Sequence, residues 1–597
     1  MTDTDTAIAE KEASGWRLRP AILAILGVIA AVAVQQLVDP HRPSNAVWEA
    51  MPVWRIALSI AIWTAALAIG FGMERTRLLW AVVFALLIGG VTGFIYYWSG
   101  GAGGAGANWL WDWRYASLFL SVVIAVPLFQ TARDEGGWRF PYAEVHGHAW
   151  TNVVLWCACW VFTGIAFLLA WLLASLFDLI GLHFLSELLG REWFGAGLVG
   201  AAFGGALGLL RERDRVVRLL QRVVTAVLAV LAPVLGAGLL LFLLALPFTG
   251  LRALWDATKS TTPILLSCVV GALILSNAVI GNGEDEEISN PVLRGGAMAL
   301  GLAALPLCII AAIATGLRIG QYGFTPDRLW ALIFVILATV YGVAYFGSLM
   351  LGRSGWAARI RPANLRVAFV VAIVSLFLAT PILSFNAIST RDQVARLESG
   401  RIKPDKFDWA ALAFDFGDPG KAALKRLAAS KNADFASRAR DAASKTSRYE
   451  VASVDTDVQA ADVLVKRLRV LPAPTAVPLK LRTLLISWDA CGTADKGNCT
   501  LLYTPNGHEA IAMRDECISW KGDSSPPAAF NPSTCDPIRY HLDGDDWKQG
   551  GTPYDASWTD EQKAALKAGL AAGKVEIRPV PSRRLFIGGV PIGEPFE

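Results

Sequence analysis

Hydrophobic positions in this chain run in long unbroken blocks, with none of the alternation of a half-buried strand. The blocks lie at about Ala21–Val38, Ile56–Gly72, Leu78–Tyr97, Ala116–Phe129, Thr151–Phe177, Phe194–Leu210, Val224–Leu246, Ile264–Ile280, Ala297–Leu317, Leu329–Leu351 and Leu365–Ser384. About twenty apolar residues in helical form suffice to cross a bilayer, so the pattern predicts about eleven transmembrane helices. Ala116–Phe129 is short and is expected to recruit Trp109–Tyr115. Phe194–Leu210 is rich in Gly and Ala, which predicts close packing on other helices. The segment DLIGLHFLSELLGRE, 178–192, is apolar but too short to span and reads as an interfacial or re-entrant helix. Thr325, Pro326 and Asp327 supply an N-cap, a first-position proline and a first-turn anion for the tenth span.

Beyond residue 384 the pattern changes. FDWAALAFDFGDPGKAALKRLAAS and a stretch near Ala433–Ser444 carry helical signals. From about Ala461 the signals become those of strands: DVLVKRLRV, LKLRTLLISW, then TLLYT and HEAIAM around the hairpin turn Pro505-Asn506-Gly507. Thr559 and Gln562 form a capping-box pattern before the helical stretch EQKAALKAGLAAG, and KVEIRPV and RRLFIGG read as closing strands. The fold class is therefore a polytopic α-helical membrane bundle with a C-terminal soluble α+β domain. The expected division is an N-terminal tail over 1–19, a transmembrane domain over 20–384, a helical connecting region over 385–450 and the α+β domain over 451–597.

Composition supports this split. Hydrophobic residues make up 54% of the 597 and charged residues only 17%, with mean hydropathy +0.44; a typical soluble protein is about a quarter charged. Residues 1–384 hold 25 Lys+Arg and 22 Asp+Glu, against 29 and 28 in the shorter remainder. Of 23 Trp, 18 precede residue 384, many near span ends, such as Trp54, Trp80, Trp98, Trp109, Trp193 and Trp330, as the aromatic belt of a membrane interface requires. Ala31-Val32-Ala33 resembles a weak signal-peptide cleavage site, but the spans that follow favour an uncleaved first helix. No basic stripe with interleaved aromatics marks the soluble part, so nucleic acid is not an expected partner.

Orientation follows from Lys and Arg in the connections. The N-terminal tail and every second connection after it hold 17, the alternate set 8. The positive-inside rule then places the N-terminus in the cytoplasm and, after an odd number of spans, the C-terminal domain outside. In a Gram-negative cell that is the periplasm, with the bundle in the inner membrane. Cys491, Cys499, Cys517 and Cys535 fall close together in that domain. An even set in an exported domain suggests two disulfides; a cytosolic zinc site is the rival, but the spacings contain no CxxC pair. Connectivity is open, Cys491–Cys499 with Cys517–Cys535 being the local option.

Little in the sequence carries chemistry. Glu144, His146 and His148 form E-x-H-x-H in what reads as a loop before the fifth span. Alternate residues on an extended segment share a face, which allows a metal site, yet no further ligand is near and structural roles are favoured. HLDGDDW, 541–547, lacks the spacing of a calcium loop and reads as an Asp-rich turn. No GxSxG, phosphate-binding loop or HExxH occurs, so no catalytic residue, metal or cofactor is assigned. Asp, Glu, Lys and Arg fall at span ends, which weakly disfavours a proton-coupled transporter.

Three stretches together resemble the bacterial membrane family called domain of unknown function 4153: HAWTN at His148–Asn152 running on to LFDLIGLHFLSELL, YGFTPDRLWAL at Tyr322–Leu332, and SFNAISTRDQVARLESG with FDWAALAFDFGDPGKAAL after the last span. The resemblance covers roughly residues 15–430. It implies a bacterial membrane protein and supplies no activity or site residues. The sequence expectation is a non-enzymatic part in envelope assembly, sensing or protein interaction. A transporter or lipid-handling protein is the alternative and an envelope enzyme the third. Expected partners are the lipid bilayer and envelope proteins or lipids. Tyr322, Asp327 and Arg328, in a loop assigned to the same side as the soluble domain, are candidate contacts between that domain and the bundle.

Overall fold

A computed structural model describes residues 16–38, 52–100, 113–257, 261–352, 355–448, 451, 464–465, 467–471, 475–487, 491, 499–504, 508–514, 538–544, 546–550, 568, 583–587 and 590–596. The chain divides into two compact units: residues 1–399 with 416–419, and residues 400–415 with 420–597.

Helices of the first unit are α1 (Arg19–Val38), α2 (Val53–Gly72), α3 (Leu78–Trp98), α4 (Trp113–Glu135), α5 (Tyr142–Asp178), α6 (Phe184–Leu189), α7 (Glu192–Arg211), α8 (Asp214–Ala257), α9 (Thr261–Ile280), α10 (Pro291–Tyr322), α11 (Pro326–Gly352), α12 (Trp356–Ala379) and α13 (Phe385–Glu398). Among the described residues eleven helices are long and apolar enough to cross a membrane: α1 to α5 and α7 to α12. Each of the first ten contains one of the predicted blocks; the last block, Leu365–Ser384, overruns α12, which ends at Ala379, and Ser384 instead caps α13. The protein is thus an integral membrane protein built as a helical bundle. Helix α6, in the predicted interfacial stretch, is only 6 residues long. Helix α8 breaks at Gly250, whose φ of +73° is a left-handed conformation open to glycine.

Small residues set the closest approaches. Helices α1 and α7 cross at Gly27 and Gly200, where a Cβ on either would strike the backbone of the other. Gly204 lies against the Leu23 backbone and Gly208 against Pro20 in the same way. The Gly and Ala richness of the sixth block serves this seam. A large apolar core joins α8, α9, α10 and α11, with Leu300, Leu307 and Tyr345 fully buried.

Helix α13 closes the opposite end of the tenth span. Gln393 donates to the carbonyls of Tyr322 and Phe324, both at 2.9 Å, Asp392 accepts from the Phe324 amide at 2.8 Å, and Arg396 donates to the Ile319 carbonyl at 3.2 Å. Gly323 there has φ +79°, and a side chain would collide with Asp392, Gln393 and Arg396. Thr325 accepts from the Arg328 amide at 3.4 Å, the expected N-cap of α11.

The second unit contains α14 (Gly417–Ala428) from Gly420 onward, α15 (Ala433–Ser444), α16 (Leu479–Ser487) and strands β1 (Leu468–Leu471), β2 (Cys499–Thr504), β3 (Glu509–Arg514), β4 (Ile538–Asp543), β5 (Asp546–Gly550), β6 (Arg583–Ile587) and β7 (Val590–Phe596). A five-stranded sheet runs in the order β1-β2-β3-β4-β5, parallel between β1 and β2 and antiparallel elsewhere; β6 and β7 form a separate hairpin. The predicted hairpin around Asn506 is β2–β3, and Gly544, at φ +62°, lies between β4 and β5 in the Asp-rich turn. One expectation is corrected: LKLRTLLISW, read as a strand, forms helix α16. Leu481 and Leu485 are fully buried on it. Residues four apart share a face in both a strand and a helix, so this pair satisfied either period. They pack with Leu501, Tyr503, Ala510 and Tyr540 around a disulfide between Cys491 and Cys499. Cys517, Cys535, most of the helical stretch at 561–573 and KVEIRPV lie outside the described residues.

Candidate functional site

The last carbonyls of a helix lack partners within it and sit at its negative end. Helix α2 resolves this with four long side chains from elsewhere. Arg211 donates to the Gly70 carbonyl at 2.7 Å and Gln130 to Phe71 at 2.8 Å. Arg133 donates to Gly72 at 2.5 Å and Arg19 to Met73 at 3.4 Å. Glu74 follows directly and pairs with Arg19 and, at 2.8 Å, with Arg211. Arg19 also pairs with Glu212 at 3.0 Å. Burial opposes ionisation of Glu74, but the guanidinium groups of Arg211, Arg19 and Arg133 outweigh it and hold the carboxyl below its ordinary range. Helix α9 ends similarly: Arg361 donates to the carbonyls of Ile280 and Gly283 and to Glu287, at 2.8 to 2.9 Å.

Of these groups Glu74, Gln130, Arg133 and Arg211 border a cavity of about 910 Å³. Its walls come from the α2–α3 connection (Glu74), the end of α4 (Gln130, Arg133, Asp134), the start of α5 (144–152), the α7–α8 junction with the first three turns of α8 (Arg211 to Ala226), and the end of α9 with the residues after it (Asn277 to Ile288). These are alternate connections of the bundle, the set expected to face the cytoplasm. Helix α5 has 37 residues; at about 1.5 Å each it is about 55 Å long, against ~30 Å for the hydrocarbon layer. Its apolar run begins at Val153 and that of α8 at Val223. On these two helices the lining precedes those residues except for Leu155, Thr225 and Ala226, and on α9 it begins at Asn277, in the last turn. The cavity therefore lies toward the ends of these apolar runs rather than at their middle.

Its walls mix apolar side chains with a hydrogen-bonded polar set. Gln130 and Asn152 exchange amide hydrogen bonds at 2.8 and 3.2 Å. Thr151 donates to Gln221 at 3.5 Å, and Asp134 lies 3.1 Å from His148 Nε2. Glu144, His146 and His148 all line it, but they belong to the first turns of α5, which corrects their placement in a loop. On a helix, positions two apart point to nearly opposite sides while positions four apart share a face, so Glu144 and His148 fall on one side and His146 on another. The Trp150 indole donates to His146 Nε2 at 3.1 Å, so that nitrogen accepts. His146 Nδ1 then carries the proton toward Asn282 Oδ1, 2.6 Å away. Both ring nitrogens of a neutral imidazole are taken.

Tyr322 and Arg328 meet each other: the guanidinium lies 5.3 Å from the Tyr322 ring centre and donates to the carbonyls of Tyr322 and Gly323 at 3.2 and 2.9 Å. Asp327 borders a separate cavity of about 180 Å³ with Trp113, Trp330 and Phe385. The larger cavity was missed in the sequence as a site, since its residues lie on five separated segments. The available signal was a set of amides and arginines at or just beyond the ends of the apolar blocks on one side of the bundle: Gln130, Asn152, Arg211, Gln221 and Asn277. No protein-family model, curated protein or solved structure matches this chain.

Proposed function

We propose that this integral membrane protein handles a membrane lipid, taking its polar headgroup into the cavity between α5 and α8. This places the alternative reading of the sequence ahead of an assembly or interaction role. The observation that carries it is the coincidence of a large, partly polar cavity with the ends of the apolar runs. A solute pathway needs polar surface at the membrane centre, where these spans are apolar; a headgroup site needs it at the interface, next to apolar surface for the acyl chains. The bundle is assigned to a bacterial inner membrane, with the N-terminus and the cavity cytoplasmic and the second unit periplasmic. The excess of Lys and Arg on one set of connections supports that topology, and the disulfide agrees with it. Membership of the domain of unknown function 4153 family remains part of the proposal, resting on the three stretches quoted above.

Gly147 provides the test. It lines the cavity, and a Cβ there meets only Asn282 Nδ2 at 3.8 Å. Gly147→Phe should fill the space and leave the helix intact. Protein purified in mild detergent and weighed by native mass spectrometry should carry lipid, and the variant should lose most of it. Equal lipid retention by both would remove the cavity from the account.

A further inference from the structure

The inference concerns which headgroup the cavity takes, and it rests on the headgroup reading above. Most charges deep in the site are already neutralised within the protein: Arg211 by Glu74, Arg133 by Asp134, and Asp134 also faces His148. At the mouth the situation differs. Arg218 and Arg222 line the cavity one turn apart on α8, exposed, and neither enters an ion pair among the described residues. Glu144, on the first turn of α5, and Asp285, on the α9–α10 connection, line the same cavity and likewise have no ion-pair partner there. Glu286 beside Asp285 accepts from the Asn282 backbone amide at 3.4 Å and faces His146. The unpaired cations thus come from one element and the unpaired anions from two others, all opening into one space.

Opposite charges left apart around a cavity are an arrangement that a ligand of one sign cannot satisfy. An anion alone would gain from the α8 guanidinium pair and be repelled by the carboxylates; a cation alone would meet the reverse. A group that carries both signs a few ångströms apart meets neither penalty. Two arginines at i and i+4 share a helix face and present planar donors suited to phosphate oxygens. Carboxylates accept from an ammonium.

We infer that the cavity selects a zwitterion, a phosphodiester or phosphate bound by Arg218 and Arg222 joined through a short linker to an ammonium group held by Glu144 and Asp285. A zwitterionic phospholipid headgroup has this chemistry, and so does its soluble counterpart, phosphoethanolamine.

The experiment uses the full-length protein in nanodiscs made with equal amounts of phosphatidylethanolamine and phosphatidylglycerol, released into mild detergent and weighed with its bound lipid. Free phosphoethanolamine competes in a parallel arm. The wild type should retain the zwitterionic lipid over the anionic one by about tenfold. Arg218→Gln with Arg222→Gln should abolish that preference by losing the lipid. Glu144→Gln with Asp285→Asn should reverse it toward phosphatidylglycerol. All four residues are exposed at the mouth, and circular dichroism with a melting curve confirms folding of each variant. Competition by free phosphoethanolamine as effective as that of the whole lipid supports the zwitterion and assigns it to a soluble source. Retention of phosphatidylglycerol alone, or a preference unchanged in either double variant, overturns the zwitterion while leaving a headgroup site. Retention of neither lipid, with no binding of phosphoethanolamine, overturns the headgroup reading as well.

Discussion

Gln130 and Asn152 are joined by two amide hydrogen bonds, one in each direction, between the end of α4 and the start of α5. The same Gln130 amide donates to the Phe71 carbonyl at the end of α2. One pair of side chains therefore ties three helix ends together at the wall of the cavity. Asn152→Leu keeps the approximate volume and removes both bonds. It leaves the buried Gln130 Oε1 without its donor, a loss of about 1–3 kcal/mol. The expected result is a lower melting temperature in detergent, measured by intrinsic fluorescence; an unchanged melt would show that water replaces the pair at no cost.

Glu74 makes this end of the bundle sensitive to acid. Its folded-state pKa lies below the ordinary 4.5. A group depressed on folding contributes stability above its unfolded pKa and loses that contribution as pH falls through the folded value. Melting temperature should therefore decline as pH drops below about 4.5. In Glu74→Gln the neutral amide cannot titrate, so the decline on that limb should be shallower, and the variant should be less stable at pH 7 because Arg211 loses its counter-charge and Arg19 is left with Glu212. Parallel acid limbs in the two proteins would exclude Glu74 as the group responsible.

The α1–α7 crossing gives a steric prediction with an internal control. Gly200→Ala places a methyl group against the Gly27 backbone, whereas Gly205→Ala meets only the Ala24 side chain at 3.7 Å. The first should destabilise by about 1–3 kcal/mol, as overpacking does; the second should be close to neutral. Melting curves of the two variants side by side decide it, and similar losses would mean the seam is looser than described.

The disulfide Cys491–Cys499 closes a short loop of sequence separation 8 in the core of the second unit. Chain-entropy scaling for so small a loop gives about 2–3 kcal/mol. Cys491→Ser with Cys499→Ser should lower the unfolding transition of that unit by a corresponding amount. Mass mapping of protein taken from cells without reductant should recover the pair joined. Two free thiols at these positions would count against both the bond and an oxidising compartment for this unit.

The spans were legible because a bilayer demands a simple signal, some twenty apolar residues in a row, and composition cannot hide it. The glycine-rich block was legible for a related reason: Gly200, Gly204 and Gly208 recur every four residues, which puts small surfaces on one stripe of a helix. The cavity was not legible. Glu74, Arg133, Asn152, Arg211 and Asn277 each look like an ordinary span edge, and only the bundle brings them together. The histidines misled through secondary structure, since E-x-H-x-H favours a common face only where the chain is extended. Helix α16 misled through coincidence of period, with Leu481 and Leu485 four apart. Asp327 and Arg328, marked for their place at a helix start, part company: Arg328 turns to Tyr322 while Asp327 borders the smaller cavity.

The central claim is that the cavity between α5 and α8 receives the polar end of a lipid. The most direct measurement is an electron cryo-microscopy map of the protein in lipid nanodiscs, at a resolution that separates headgroups from water. Headgroup density is expected between Asn152, Gln221 and Arg222, continuous with an acyl chain along the apolar parts of α5 or α8. A well-resolved cavity containing only isolated water peaks, beside clearly resolved lipid elsewhere on the bundle, would contradict it.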